Sequence, residues 1–186
     1  KKKERYKKLF NLCSKLMLQI VEGKKPVIAK VHGAAYAAGC QLVASCDLAY
    51  STKDALFATP GVNIGLFCST PMVALSRKVN RKRSMEMLLT GEPITAKYAK
   101  EIGLINDFFI SSKLDKEVTK IANLISSKSN LVLAIGKEAF YKQLEQPMKQ
   151  AYTYASKIMT ENMMKKDAIE GINSFIEKKS PVWKNK

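Results

Sequence analysis

The stretch with the clearest chemical character runs from Lys24 to Ser51, and its glycine- and alanine-rich centre can present main-chain donors to a ligand. An apolar run from Pro26 to Val31 is typical of a buried strand with proline at its first position. A loop of small residues containing Gly33 and Gly39 follows, and the residues from Cys40 to Cys46 indicate a short buried helix. Free N–H groups at such a helix start can bind an anion, or a carbonyl oxygen that becomes negative during a reaction.

Two interpretations of this loop stay open on the pattern alone. It lacks the GxxxxGK[ST] phosphate signature, and its two glycines do not form GxGxxG. Small residues also permit a tightly packed crossover from strand to helix that binds nothing. The residue types therefore indicate a binding loop or a packing device with equal weight.

Composition limits the class of protein. The chain has 186 residues, 46% of them hydrophobic, which is enough for one substantial core, and no apolar run reaches membrane-spanning length. A formal net charge of +16 favours a polyanionic partner. Arginine, whose planar fork suits phosphate and base recognition, occurs only as Arg5, Arg77, Arg81 and Arg83, and lysine supplies the remaining positive charge. We therefore expect that nucleic-acid binding is not the main role.

The four cysteines predict a reduced protein. Cys13, Cys40, Cys46 and Cys68 form no CxxC pair, and most of them stand in apolar surroundings. We interpret them as small core residues rather than a disulfide framework or a zinc site, with a reducing compartment as the consequence. His32 is the only histidine, so no histidine-based metal site is expected.

Periodicity predicts an α/β chain that becomes entirely helical in its last part. Expected helices cover residues 1–22, 70–79, 81–89 and 95–101, with Thr70 and Thr95 as N-caps, and expected strands cover 26–31, 48–50 and 104–109. Phe57 is predicted in a short extended piece before a long irregular loop. Helices over 114–126, 131–144, 146–164 and 166–177 follow. Their wide apolar faces fit packing on a second copy and packing within one chain equally well.

Five segments resemble the crotonase superfamily, the enoyl-CoA hydratase/isomerase family. They are KPVIAKVHG, AAG followed by CQLVASCDLAYS, LFATPGVNIGLF, MEMLLTGEPITAKYAKEIGLIN and DAIEGINSFIEKKSPVW, in the family's order across nearly all of the chain. The resemblance implies part of a ββα spiral core in residues 1–110 and a helical trimerisation region in residues 111–186. It also implies an acyl-CoA substrate, a homo-trimer or hexamer, a mitochondrial matrix location, and no cofactor beyond the coenzyme A of the substrate.

Members of this family stabilise an enolate-like intermediate by holding the thioester carbonyl between two backbone N–H donors. The resemblance places one donor at Ala38, with Gly39 beside it in the substrate site, where the helix dipole adds to the effect. Phe175 and Lys178 match family positions that reach the adenine and phosphate region of coenzyme A. For Lys178, which lies in a charged run, a solvated lysine is the alternative.

Three departures from the family pattern limit what the resemblance implies. Gln41 and Gly61 stand where the hydratases carry glutamates. Loss of a general acid–base group typically costs about 10²–10⁴ in rate, so we expect ordinary two-glutamate hydration to be weak or absent. The family's strand-rich N-terminal portion, which supplies the other oxyanion donor, has no counterpart among these residues. A non-catalytic structural or assembly subunit therefore remains the alternative hypothesis, and an RNA-binding crotonase a less favoured one.

Overall fold

The computed structural model describes all 186 residues, which divide into two compact units. Unit 1 comprises residues 1–21 and 27–120, and unit 2 comprises residues 22–26 and 121–186. The sequence-based division after residue 110 stays a prediction. None of the helices combines the length and the apolar character that crossing a membrane requires.

Unit 1 contains six short strands in two sheets. The strands are β1 (Ile28–Val31), β2 (Ala34–Tyr36), β3 (Leu48–Thr52), β4 (Leu56–Ala58), β5 (Ile94–Thr95) and β6 (Asp107–Phe109). One sheet is parallel, in the order β1-β3-β6, and the other has the order β2-β4-β5, with β2 parallel and β5 antiparallel to β4. Two successive turns of the chain each add one strand to each sheet before a helix follows. This is the ββα spiral that the resemblance implies.

The helices of unit 1 are short apart from the first. They are α1 (Lys2–Glu22), α2 (Ala38–Ser45), α3 (Ser69–Lys78), α4 (Arg81–Thr90) and α5 (Ala96–Glu101), together with a 3-10 helix at Pro60–Ile64; α6 (Ser111–Ser126) begins in this unit. Phe57, Leu75 and Leu114 are among the largest fully buried side chains of the core. On α1, by contrast, only Met17 is buried.

Some predicted boundaries are confirmed and others are wrong. Thr95 caps α5 as predicted, since its hydroxyl accepts from the N–H of Tyr98. Thr70 does not cap α3, because the N–H of Met72 already bonds to the carbonyl of Cys68 and the helix begins at Ser69.

Two features of the sheets differ from the prediction. The predicted strand 104–109 shortens to β6, because the N–H groups of Leu104 and Ile105 both donate to the carbonyl of Ala99 and form a turn. The three-residue strand β2 lies in the stretch of small residues for which the sequence predicts a loop.

Unit 2 is helical. It contains the end of α6 and the helices α7 (Asn130–Leu144), α8 (Met148–Met163) and α9 (Lys166–Ile176), and α7 continues unbroken through Gly136. The C-terminal segment is tied to α9 by the buried carboxylate of Asp167, which accepts from the N–H groups of Lys184 and Asn185 at 2.8 and 2.9 Å. The hydroxyl of Ser129 also donates to this carboxylate, and together these bonds hold the pKa of Asp167 below its usual value.

Candidate functional site

The connection between β2 and α2 consists of a single residue, Ala37. The N–H of Ala37 still donates to Ala58 of β4, and the first helical bond of α2 runs from the N–H of Gln41 to the carbonyl of Ala37. Ala38, the first residue of the helix, is exposed, and its N–H finds no acceptor within the chain. A donor free at this position is what a helix start provides. The structure thus leaves the predicted oxyanion donor without an acceptor in the chain, at an exposed residue.

Ala37 has an unusual backbone conformation that the sequence did not reveal. Its φ is +48° and its ψ is −112°, a region in which the Cβ of an L-residue is crowded. Glycine would have signalled such a conformation, but the glycines of this loop lie at positions 33 and 39. At Gly39 an added Cβ would meet only the Cβ of Ala35, at 4.0 Å, so packing does not require that glycine.

Gln41 lies in the same helix, and its side chain is directed into the protein. The residue is 4% exposed, and its Oε1 accepts a hydrogen bond from the Sγ of Cys13 in α1 at 3.5 Å. Its backbone carbonyl accepts from the hydroxyl of Ser45 at 2.8 Å. An amide in this position can hold a hydrogen bond but cannot take up a proton.

Gly61 lies in the 3-10 helix, and the space for a side chain at this position is closed. A Cβ added to Gly61 would sit 2.4 Å from the carbonyl oxygen of Leu66 and 2.8 Å from the Sγ of Cys68. The loop is closed here by a hydrogen bond, because the N–H of Leu66 donates to the carbonyl of Gly61 at 2.9 Å. This bond keeps Leu66 beside Gly61. Position 61 therefore lacks a glutamate and also has no room for one in this loop conformation.

Two buried thiols lie beside these segments. Cys40 is 1% exposed and Cys68 is 8% exposed. Burial, with a smaller contribution from Cys68, raises the pKa of the Cys40 thiol from 9.0 to about 12. Such a thiol is neutral at physiological pH and behaves as a small apolar core residue. This agrees with the interpretation of Cys40, Cys46 and Cys68 as core cysteines, all three of which are buried.

The two residues implied in coenzyme A recognition belong to unit 2. Phe175 is 85% exposed near the end of α9. Lys178 follows the helix with a φ of +54°, the left-handed conformation in which glycine is usually found after a helix. Ala38, Gly39, Gln41 and Gly61 all belong to unit 1.

A cavity of about 320 Å³ in unit 2 lies between α7 and α8, and one of about 180 Å³ in unit 1 is lined mainly by residues 43–49 and 103–106. Neither is lined by a residue that the sequence singled out as a site residue. No group of three or more His, Cys, Asp or Glu side chains is placed to hold a metal ion.

The ββα spiral with a helix start that presents a free peptide N–H defines a crotonase-fold protein. The chain belongs to the Enoyl-CoA hydratase/isomerase family, whose sequence profile matches residues 1–186. The mitochondrial enoyl-CoA hydratase domain-containing protein 3 of Rattus norvegicus is 52% identical over 175 residues, which are 94% of this chain and 58% of that protein. The human protein of the same name is 50% identical, again over 94% of this chain and 58% of that protein. The chain thus spans less than two thirds of the length of these relatives.

Solved structures agree with this assignment. The crystal structure of human enoyl coenzyme A hydratase domain-containing protein 3 superposes with a TM-score of 0.95 at 49% identity, covering 97% of this chain and 72% of that one. An enoyl-CoA hydratase from Mycobacterium smegmatis gives a TM-score of 0.95 at 50% identity, covering 97% and 70%. The fold class inferred from the sequence is confirmed, as is the family.

Proposed function

We propose that this chain binds an acyl-CoA thioester and stabilises its enolate through main-chain donors, as an enoyl-CoA hydratase-like member of its family. The observation that carries the proposal is the exposed peptide N–H of Ala38, which has no acceptor within the chain. The α2 dipole reinforces this donor, and a pre-aimed donor costs no reorganisation when negative charge develops on the thioester oxygen. Gly39, without a side chain, lets the acyl group approach the main chain.

The proposed chemistry includes little general acid–base catalysis by these residues. Gln41 and Gly61 cannot exchange protons, so hydration by a pair of glutamates is not expected from these residues. The closed space at Gly61 supports this limit independently of the residue type. Polarisation of the carbonyl is then the main contribution of unit 1 to any reaction.

The remaining parts of the proposal concern coenzyme A, assembly and location. Phe175 and Lys178 would contact the adenine and phosphate region, where a lysine ammonium pairs naturally with phosphate. Coenzyme A enters as part of the substrate, and no other cofactor is proposed. The exposed apolar side chains of α8 and α9, including Met148, Tyr152, Ile172 and Phe175, support a homo-trimer or hexamer. The rat and human relatives are named as mitochondrial proteins, so we place this chain in the mitochondrial matrix.

Deletion of the single donor tests the proposal. Proline at Ala38 removes the N–H, and proline is well accepted at the first position of a helix. Because proline restricts the preceding residue, the variant is made as Ala37→Gly together with Ala38→Pro and compared with Ala37→Gly alone. Isothermal titration with crotonyl-CoA should show about tenfold weaker binding for the double variant, and binding of free coenzyme A should not differ between the pair. Absence of crotonyl-CoA binding by the unchanged protein would refute the proposal.

A non-catalytic structural or assembly subunit is the second candidate function. The closed space at Gly61 favours it, since a position that no longer admits a side chain has lost its acid–base role. Its signature is a stable complex of the protein with no turnover of crotonyl-CoA and no acyl-CoA binding. An RNA-binding role, suggested only by the net charge of +16, would require affinity that falls steeply with salt.

A further inference from the structure

Ala37 stands out among the residues of the molecule because nothing in its own chemistry explains its conformation. Three residues other than glycine have a positive φ: Ala37, Lys178 and Asn185. Lys178 follows a helix end, and Asn185 is of a type that tolerates the left-handed region. Ala37 has neither explanation, and its pair of angles is favourable only for glycine or for a residue of opposite handedness.

Bonds on both sides impose this conformation. On the sheet side, β2 pairs with β4 up to Tyr36 and Ala58, and the N–H of Ala37 donates to the carbonyl of Ala58 at 2.9 Å. On the helix side, the carbonyl of Ala37 accepts from the N–H of Gln41 at 3.0 Å. Strained conformations persist where the surroundings over-determine them, and they cluster at functional sites.

The geometry sets the direction of the next peptide group. The chain passes from strand to helix across one residue, so the peptide between Ala37 and Ala38 must turn out of the sheet ladder at once. If Ala37 had ordinary strand or helix angles, β2 or α2 would lose one of the two bonds described above. We infer that Ala37 is a positioning residue whose left-handed backbone aims the N–H of Ala38 at the thioester oxygen. The inference rests on the function proposed above.

Gln41 helps to fix the conformation of Ala37 through its main chain. Its N–H fixes the carbonyl of Ala37, while its side chain bonds to Cys13. The residue that replaces a hydratase glutamate thus contributes to orientation of the donor. The side chain of Gln41 cannot exchange a proton as a glutamate would. Its main chain, in the first turn of α2, still helps to orient the N–H of Ala38.

The first test compares substitutions at position 37 with a matched one nearby. Ala37→Val adds a β-branched side chain that resists positive φ, whereas Ala37→Gly adopts it without strain. Ala34→Val is the control, because Ala34 is exposed in β2, where β-branched residues fit well. Binding of an acyl-CoA labelled with ¹³C at the thioester carbonyl is followed by calorimetry and by the infrared carbonyl band.

The expected results separate the four proteins. The unchanged protein and Ala34→Val should bind equally and shift the carbonyl band to lower frequency. Ala37→Val should bind about tenfold or more weakly and lose the shift, and Ala37→Gly should restore the shift with affinity within about threefold. Equal affinity and an equal shift for Ala37→Val would overturn the inference and leave the proposed function standing.

A second variant covers the case in which the valine protein does not fold. Ligation at the natural Cys40 allows a synthetic segment 1–39 with D-alanine at position 37 to be joined to residues 40–186. For D-alanine the observed angles correspond to the mirror-image extended region, which is unstrained. Binding should be retained or strengthened, and loss of binding in this folded protein would contradict the inference.

A readout without ligand tests the positioning of the Ala38 N–H separately from thioester binding. In ¹⁵N-labelled protein, the amide of Ala38 should exchange rapidly with solvent, as expected for an unpaired N–H. Its chemical shift should move in Ala37→Val and stay near the original value in the D-alanine protein. An unmoved Ala38 resonance in Ala37→Val would overturn the positioning role, even if no thioester binds to any of the proteins.

Discussion

The segment around Ala38, which we propose binds the thioester carbonyl, and the segment around Gly61, where the resemblance implies an acid–base position, both belong to unit 1. At the first, the main chain is held in a strained conformation and a peptide N–H is left without an acceptor. At the second, the 3-10 helix and the residues after it fold back until no side chain fits. If the proposed roles hold, the carbonyl-binding segment carries a conformational cost, while the segment of the acid–base position is filled.

This difference suggests which function has been preserved. A strained residue costs of order 1–3 kcal/mol, so a strained connection indicates that its geometry is used. A space filled by packed atoms carries no such conformational cost, and close packing stabilises the loop. The comparison therefore supports the proposed recognition of thioesters more than their hydration.

The largest effect is expected at Gly61. Ala at this position should lower the free energy of unfolding by about 1–3 kcal/mol, because its Cβ meets the carbonyl oxygen of Leu66 at 2.4 Å. A glutamate should cost more, and Gln41→Glu combined with Gly61→Glu should not restore hydration of crotonyl-CoA. Denaturant unfolding and the change in enoyl absorbance measure the two effects.

The matched control for Gly61 is Gly33→Ala, because a Cβ at Gly33 meets nothing within 4 Å. Its unfolding free energy should stay within about 0.5–1 kcal/mol of the original. A double-glutamate protein that is stable and hydrates crotonyl-CoA would show that the loop opens easily. The contrast between the two segments would then be lost.

The single substitution Gln41→Glu tests whether position 41 can still accommodate the ionised carboxylate that acid–base catalysis requires. The position is 4% exposed and faces Cys13, so a carboxylate there would be buried without a cation. We expect a loss of about 1–3 kcal/mol at pH 7, and a smaller loss near pH 5, where the carboxyl is protonated. Gln19→Glu on the exposed face of α1 is the control and should be nearly neutral. Equal stability of the two variants would indicate that Gln41 is accessible to water.

The fold was largely predictable, because periodicity and capping are local signals. Helices α4 to α9 were located to within a few residues, and the cap of α5 by Thr95 is confirmed. The errors fall where a distant contact decides the outcome. Residues of β2 become a strand only because β4 lies beside them, and Leu104 and Ile105 are drawn into a turn by the carbonyl of Ala99.

The positions of the candidate site stay a prediction, whereas the backbone conformation at these positions was not predictable from the sequence. Residue types indicated the helix start after the glycine- and alanine-rich loop, and the resemblance supplied Ala38, Gln41 and Gly61 with their proposed roles. The closure at Gly61 depends on the path of the chain from Leu66 to Cys68, and the strain at Ala37 depends on bonds to Ala58 and Gln41. Neither is encoded in the neighbouring residue types, so only the three-dimensional structure reveals the contrast between the two segments.

A pH-dependent effect is expected from the thiol between these segments. The pKa of Cys40 is raised by burial from 9.0 to about 12, so the unfolded chain loses this proton at lower pH than the folded protein. The associated stability is fully present below about pH 9 and is lost as pH rises toward 12, by about 1.4 kcal/mol per pH unit. Urea unfolding at pH 8, 9 and 10 measures it. The difference between the original protein and Cys40→Ala should shrink with pH, and parallel curves would mean that water reaches this thiol.

The smallest effect is expected at Lys178, where strain and ligand recognition can be separated in unit 2. Glycine relieves the positive φ of +54°, and Lys178→Gly should raise the free energy of unfolding by about 0.5–1 kcal/mol. If the ammonium contacts a phosphate of coenzyme A, calorimetry should show weaker binding of free coenzyme A in the same variant. Lys179→Gly removes an equal charge from the next position, where the φ is not positive, and should gain no stability. A stabilised Lys178→Gly protein with unchanged affinity would identify Lys178 as a solvated helix end, and Ala37 would then be the only strained residue with a proposed role in ligand recognition.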